Sequence, residues 1–228
     1  MLESLIDLLP DLAVALGQTL AMLGIGVCAA VLFGGPLGVV LFVVGAGQSL
    51  RNRPLALLLG WTVNTIRSFP FIILLVALVP LTRLIAGSSI GPLAAAVPLS
   101  IAAVPYFARL VEQTLRDVPR GLIEAAQAMG ASELQIVTRV LLVEARSGLV
   151  LALTALAIGF LSYAAAAGVV GGGGIGDLAI RYGYYRFETD IMVFTVVVLV
   201  ALVQVIQLTG DRFARRLDKR QPGYARTD

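Results

Sequence analysis

Histidine is absent from the 228-residue chain, cysteine and lysine occur once each, and only 14% of the residues are charged. Each shortage excludes a class of chemistry. Without imidazole there is no His-based triad and no imidazole metal site. The lone cysteine, Cys28, cannot form a disulfide within the chain, and its apolar setting suggests a small buried hydrophobe. The lone lysine, Lys219, lacks the preceding glycine and following hydroxyl that a phosphate-cradling P-loop requires. If the protein uses ATP, another polypeptide binds it. A typical soluble domain is about 25% charged. A chain of this size that is 58% hydrophobic cannot hide its apolar surface and still present a solvated exterior. A soluble enzyme, a nucleic-acid-binding domain and a secreted disulfide scaffold are therefore excluded.

The few charges are clustered. Residues 12–50, 84–108, 147–176 and 191–210 carry none. Each stretch provides the roughly 20 residues a helix needs to cross a bilayer core of about 30 Å. The fold class is an all-α polytopic membrane protein, read as one transmembrane domain over 1–228. Spans are expected at about 14–44, 68–86, 93–110, 148–170 and 190–210. Glu3, Asp7 and Asp11, with no basic residue beside them, do not make a signal-peptide n-region, so the first apolar run is kept as a span. In it, Gly34 and Gly38 form a small-xxx-small pair suited to close helix packing, and Pro36 is expected to bend the helix. Residues 54–66 are too short to span and suggest an interfacial segment with Trp61 at headgroup level. Arg67 marks the cytoplasmic edge of span two. Arg109, Glu112 and Arg116, spaced for pairing, extend span three as a polar helix.

Five spans place the termini on opposite sides. With the C-terminus inside, thirteen basic residues lie in cytoplasmic segments, six of them in the tail 211–228, against three outside (Arg83, Arg181 and Arg186). That asymmetry sets the N-terminus outside. The basic tail suggests an anchor to anionic lipid, with no nucleic-acid role.

The most informative segment is the cytoplasmic loop 117–146. Pro119 suits a first helical position. Leu122, Ile123, Ala126 and Met129 share one helical face, and Gly130 fits a helix stop. Ser132 and Gln135 form a capping-box pattern opening a second short helix, with Leu134, Val137, Val140 and Leu141 as its apolar face. Two amphipathic helices with a tight elbow need a partner surface, either the chain's own spans or another protein.

Glu124-Ala-Ala-Gln-Ala-Met-Gly130 resembles the "EAA" loop of binding-protein-dependent ABC importer permeases. Arg67-Ser-Phe-Pro-Phe, the glycine run ending at Gly176, Tyr182-Gly-Tyr184 and Gly210-Asp-Arg212 are similar to the methionine branch of that family. The resemblance covers roughly residues 15–216. It implies the type I ABC importer permease architecture in the bacterial inner membrane, with methionine or a close analogue as substrate. Glu124, Ala125, Ala126 and Gly130 would then couple the permease to the ATPase. The implied partners are two ATP-binding cassette subunits, which would hold ATP and Mg, and an external substrate-binding lipoprotein. No cofactor and no catalytic group is expected in the chain. Five helices are few to enclose a gated pathway, so a two-fold homodimer is the natural assembly.

Two departures from the family pattern stand out. Val140-Leu-Leu-Val143 replaces the usual Ile, one residue, then Leu-Pro. Tyr163-Ala-Ala-Ala166 stands where methionine permeases tend to read Tyr-Ser-Ala-Met. The family therefore implies Tyr163, Ala164, Ala165 and Ala166 along the substrate path, wider than usual, and leaves open a permease for another small amino acid. An ATPase-independent secondary transporter is the rival class, but the spans lack the midplane charges such transporters usually carry. Gly171, Gly173 and Gly176 formally match a dinucleotide fingerprint, yet they follow a transmembrane helix on the external side, which favours a loop or backbone turn near the gate. Tyr182, Tyr184 and Tyr185 either contact a docked binding protein or anchor the chain at the interface.

Overall fold

The computed structural model describes residues 2–45 and 52–218; Arg51 and the tail from Lys219 onward lie outside the described residues. The described residues contain helices and no strand. Helix α1 (Leu2–Ala29) continues through a π-turn at Ala30–Gly34 into α2 (Gly35–Val43). Pro36 explains the π-turn. Its ring excludes the carbonyl four residues back and it donates no N–H. One widened turn, in which the Gly35 N–H reaches the Ala30 carbonyl, absorbs both demands. Leu8–Val43 consequently remains one long span with a local adjustment at the proline.

Helix α3 (Arg53–Ser68) starts where the Asn52 side chain accepts the Leu55 N–H, at 3.2 Å. It stops before Pro70, because the residue ahead of a proline disfavours helix. The chain then turns by 100° into α4 (Phe71–Ala77). Leu78 separates α4 from α5 (Val79–Ala86), and Gly87 closes α5 in the left-handed conformation, φ 72°. The stretch expected as a single span at 68–86 is thus two short helices preceded by a crosswise one. Closely spaced prolines at 70 and 80 remove the N–H groups a continuous helix would need.

Helix α6 (Pro92–Arg116) occupies the centre, with Leu99, Ala103, Ala108 and Leu115 fully buried. The small-xxx-small pair packs onto it. A Cβ on Gly34 would meet the Val104 carbonyl oxygen at 2.5 Å, and one on Gly38 the Ala108 oxygen at 2.5 Å. The pair therefore serves packing within the chain. After the loop helices come α10 (Arg146–Gly168), the short α11 (Gly174–Leu178) with a π-turn at Ala179–Tyr184, and α12 (Thr189–Leu217). Gly210 lets α12 cross α10 at Thr154. The last carbonyls of α12 are satisfied from α10: Arg146 Nε donates to Leu217 O (2.8 Å) and Ser147 Oγ to Ala214 O (3.0 Å).

Four helices are each long and apolar enough to cross a bilayer, and α3 with α4 makes a bent fifth candidate. The outer faces stay apolar: Val193, Val196, Val197 and Val200 of α12 are exposed, as are Leu32 and Phe33 near the π-turn. Cys28 is exposed too. In a helix apolar on every side, composition does not tell the inward face from the outward one.

Candidate functional site

The loop after α6 is built by local chemistry. Helix α7 (Arg120–Ala128) follows Pro119 and ends in a complete Schellman motif. Gly130 N–H donates to Gln127 O (2.9 Å) and Ala131 N–H to Ala126 O (3.1 Å), with Gly130 at φ 77°. Ser132 then opens α8 (Glu133–Gln135) with both arms of a capping box. A π-turn at Ile136–Leu141 leads into α9 (Leu142–Glu144).

Ala126, Ile136 and Leu141 point into the core, and Ile123, Val137 and Val140 pack beside them. The remaining apolar residues do not. Met129 is 81% exposed and Leu134 71%, with Leu122 also exposed. The sequence groups Leu134 with Val137, Val140 and Leu141 on one apolar face; across the widened turn Ile136 joins the last three against the spans and Leu134 does not. Glu124 lies on the outer side of α7 and Ala125 beside it, both exposed. The elbow thus seats one face on its own spans and offers Met129, Leu134 and Glu124 to something else.

Above the loop, Glu112 is buried on α6 and held by Arg109 and by Arg116, the latter at 2.6 Å. Arg109 also donates to the Gly60 carbonyl at 3.2 Å, tying α3 to α6. Further along, four aromatic rings gather. Phe71 stacks on Tyr163 at 4.7 Å, Tyr163 meets Phe160 edge-on at 5.0 Å, and Phe160 meets Tyr106 at 5.8 Å. The Arg67 guanidinium caps the cluster, 5.3 Å from the Tyr106 ring centre. Tyr163 is half-buried at this edge. Ala164, at 1% exposure, lies inside the chain's own core. Ala165 is pressed against Gly176, and Ala166 is half-buried.

Beyond the end of α10 that lies away from the elbow, the glycine run is a packed turn, with Gly171, Gly173 and Gly174 at positive φ. Gln18 Oε1 accepts the Gly174 N–H (2.7 Å) and Thr19 Oγ1 the Ile175 N–H (2.9 Å). The Gly171 and Gly172 N–H groups donate to the Gly168 and Ala167 carbonyls of α10, so every amide from Gly171 to Ile175 except that of Gly173 is already engaged within the chain. Tyr182 is tied inward, its hydroxyl donating to Asp11 at 3.0 Å while Arg186 stacks on its ring at 4.4 Å. Tyr184 and Tyr185 are exposed and contact each other edge-on.

Residues 34–221 match the family described as binding-protein-dependent transport system inner membrane component. The chain belongs to that family. Its similarity to curated relatives is extensive. It is 49% identical to the "Probable D-methionine transport system permease protein MetI" of Vibrio cholerae, over 92% of this chain and 93% of that one. It is 37% identical to the "Methionine import system permease protein MetP" of Bacillus subtilis, over 79% and 81% of the two chains. A solved chain of the MetNI methionine ABC transporter, in an inward facing conformation, superposes with TM-score 0.91 at 44% identity, covering 93% of this chain and 99% of that one.

The protein is a multi-pass inner-membrane transport component with the type I ABC importer permease fold. As a permease it needs no bond-making site of its own. Two features of this permease were not read from the sequence. Phe187 is 84% exposed, just after Tyr184 and Tyr185 in the chain and at φ 58°; it lies outside the Tyr182-Gly-Tyr184 pattern that singles out this segment. The Gln18 and Thr19 contacts join residues 156 positions apart, beyond any local pattern.

Proposed function

We propose that this permease carries methionine or a close analogue across the inner membrane, driven by ATP hydrolysed on separate subunits. The observation that carries the proposal is the cytoplasmic elbow, which leaves Glu124, Met129 and Leu134 facing outward on a rigidly capped turn. Ala125 and Gly130 complete it: Ala125 admits a close surface and the glycine fixes the angle, while the buried Ala126 seats the elbow on its own spans. Two ATPase subunits, each holding ATP and Mg, would receive the elbows of a two-fold homodimer as helices in grooves. The exposed valine face of α12 gives a second copy apolar surface to cover.

The N-terminus lies outside in this proposal and the elbow inside, in keeping with the distribution of basic residues. An external binding protein delivers substrate to the face bearing Tyr184, Tyr185 and Phe187, with Tyr182 bracing that face from within. Tyr163 and Ala166 line the path; Ala164 and Ala165 act there as packing that sets the position of α10. The methionine assignment rests on the relatives' substrates. Ala166, standing where the branch tends to carry methionine, favours a second reading in which a different small amino acid passes.

The test is uptake into proteoliposomes containing the full-length permease, its ATPase and its binding protein. Labelled methionine should accumulate only with internal-face ATP, and unlabelled methionine should compete better than other amino acids. Glu124→Lys should abolish uptake while ATP is still hydrolysed and the permease still inserts. Uptake unaffected by Glu124→Lys would remove the coupling role, and preferential competition by another amino acid would replace the substrate.

A further inference from the structure

A cleft of about 300 Å³ opens between α2, α3 and α6, at the end of the bundle that carries the elbow. Three guanidiniums line it, from Arg53, Arg109 and Arg116, against one carboxylate, Glu112. Arg109 and Arg116 share Glu112, so the cleft keeps two positive charges in excess. Among the described residues Arg53 makes no ion pair. Arg116 is 60% exposed, with only one of its ends engaged.

The rest of the cleft is amphiphilic in a particular order. Arg53, Leu57 and Trp61 are spaced i, i+4, i+8, so they run along one face of α3. Leu57 lines the cleft, and both Leu57 and Trp61 are exposed. The bond from Arg109 to the Gly60 carbonyl fixes this face against α6. A ligand that fits must bring an anionic head to Arg53 and Arg116 and an apolar body along Leu57 toward Trp61. A free anion leaves the apolar strip uncovered, and a zwitterionic lipid cancels the charge term.

We propose that this cleft binds the headgroup of an anionic phospholipid, its phosphate between Arg53 and Arg116 and its acyl chains along the Leu57–Trp61 face of α3. Basic pockets between membrane helices recognise anionic headgroups, and each basic residue near the surface adds about fivefold in affinity. The bound lipid sits where α3 joins the helix that leads directly into the elbow.

Trp61 is the chain's single tryptophan, so its fluorescence reports this face alone. The full-length permease is placed in phosphatidylcholine nanodiscs containing increasing fractions of brominated phosphatidylglycerol or brominated phosphatidylcholine. Half-maximal quenching should need about fivefold less of the brominated phosphatidylglycerol. Arg53→Gln should remove most of that preference, Arg53→Lys should keep it, and Arg212→Gln, distant on α12, should leave it unchanged. Millimolar inorganic phosphate should not affect it. Equal quenching by the two lipids overturns the proposal, as does a preference that survives Arg53→Gln. Abolition by inorganic phosphate overturns it in favour of a free-anion site.

Discussion

Replacing Gly176 with alanine puts one methyl group between two backbones. A Cβ there would lie 2.0 Å from the Ala165 carbonyl oxygen and 2.6 Å from its carbonyl carbon and Cα. The approach is reciprocal, since a Cβ on Gly168 would lie 2.2 Å from the Asp177 nitrogen. Cβ atoms do not approach closer than 3.0 Å, so α11 must retreat from α10 by at least about 1 Å. No side chain can swing aside to relieve this, because the obstacle is main chain. A 1 Å gap forfeits a quarter to a half of the contact attraction between the facing atoms, and overpacking of this kind typically costs about 1–3 kcal/mol. Alanine returns about 1 kcal/mol of helix propensity. The obstacle being backbone puts the cost at or above the top of that range, so the net loss is about 2 kcal/mol. For a chain of this length that corresponds to a fall of about 4–8 °C in Tm. The measurement is the fraction of detergent-solubilised full-length permease that remains monodisperse after heating. Gly159→Ala, on the same α10 with nothing within 4 Å, supplies the control and should hold or slightly raise the Tm. A Gly176→Ala permease as stable as the wild type, or a Gly159→Ala permease that falls equally, would refute the close-approach argument.

Two further outcomes follow from individual side chains. Met129→Glu combined with Leu134→Glu should leave insertion and Tm unchanged but weaken ATPase binding at least a hundredfold, since each buried apolar side chain contributes about 1.5–3 kcal/mol; titration of the ATPase onto nanodisc-held permease measures it, and undiminished affinity contradicts the docking role. Thr82 is buried and its hydroxyl has no hydrogen-bond partner among the described residues, so Thr82→Val should raise stability by about 1 kcal/mol in the same heating assay; a fall would show that the hydroxyl is bonded in the membrane.

Where structure depends on neighbours in sequence, the sequence was enough. The charge-free runs located α1, α6, α10 and α12, and the elbow's Schellman and capping-box contacts reach at most five residues, so Gly130 and Ser132–Gln135 could be read directly. The second span was harder. Its apolar run gives no hint that Pro70 and Pro80 divide it, or that α3 joins it at 100°. The π-turns at Ala30–Gly34 and Ile136–Leu141 shift the helical register, which is why Leu134 does not share the face of Val137, Val140 and Leu141. Cys28 and Ala164 show the remaining limit. Among uniformly apolar residues, only the tertiary packing decides which side faces the protein.

The bonds from Gln18 and Thr19 to the start of α11 bear on how the transporter moves. The Ile175 N–H is buried with its partner, and a buried donor stripped of its acceptor costs about 1–3 kcal/mol. Tyr182 and Asp11 add a third tether just beyond. The long first helix is therefore latched to the segment that follows α10. Any displacement of that segment must carry the first helix with it or break these bonds.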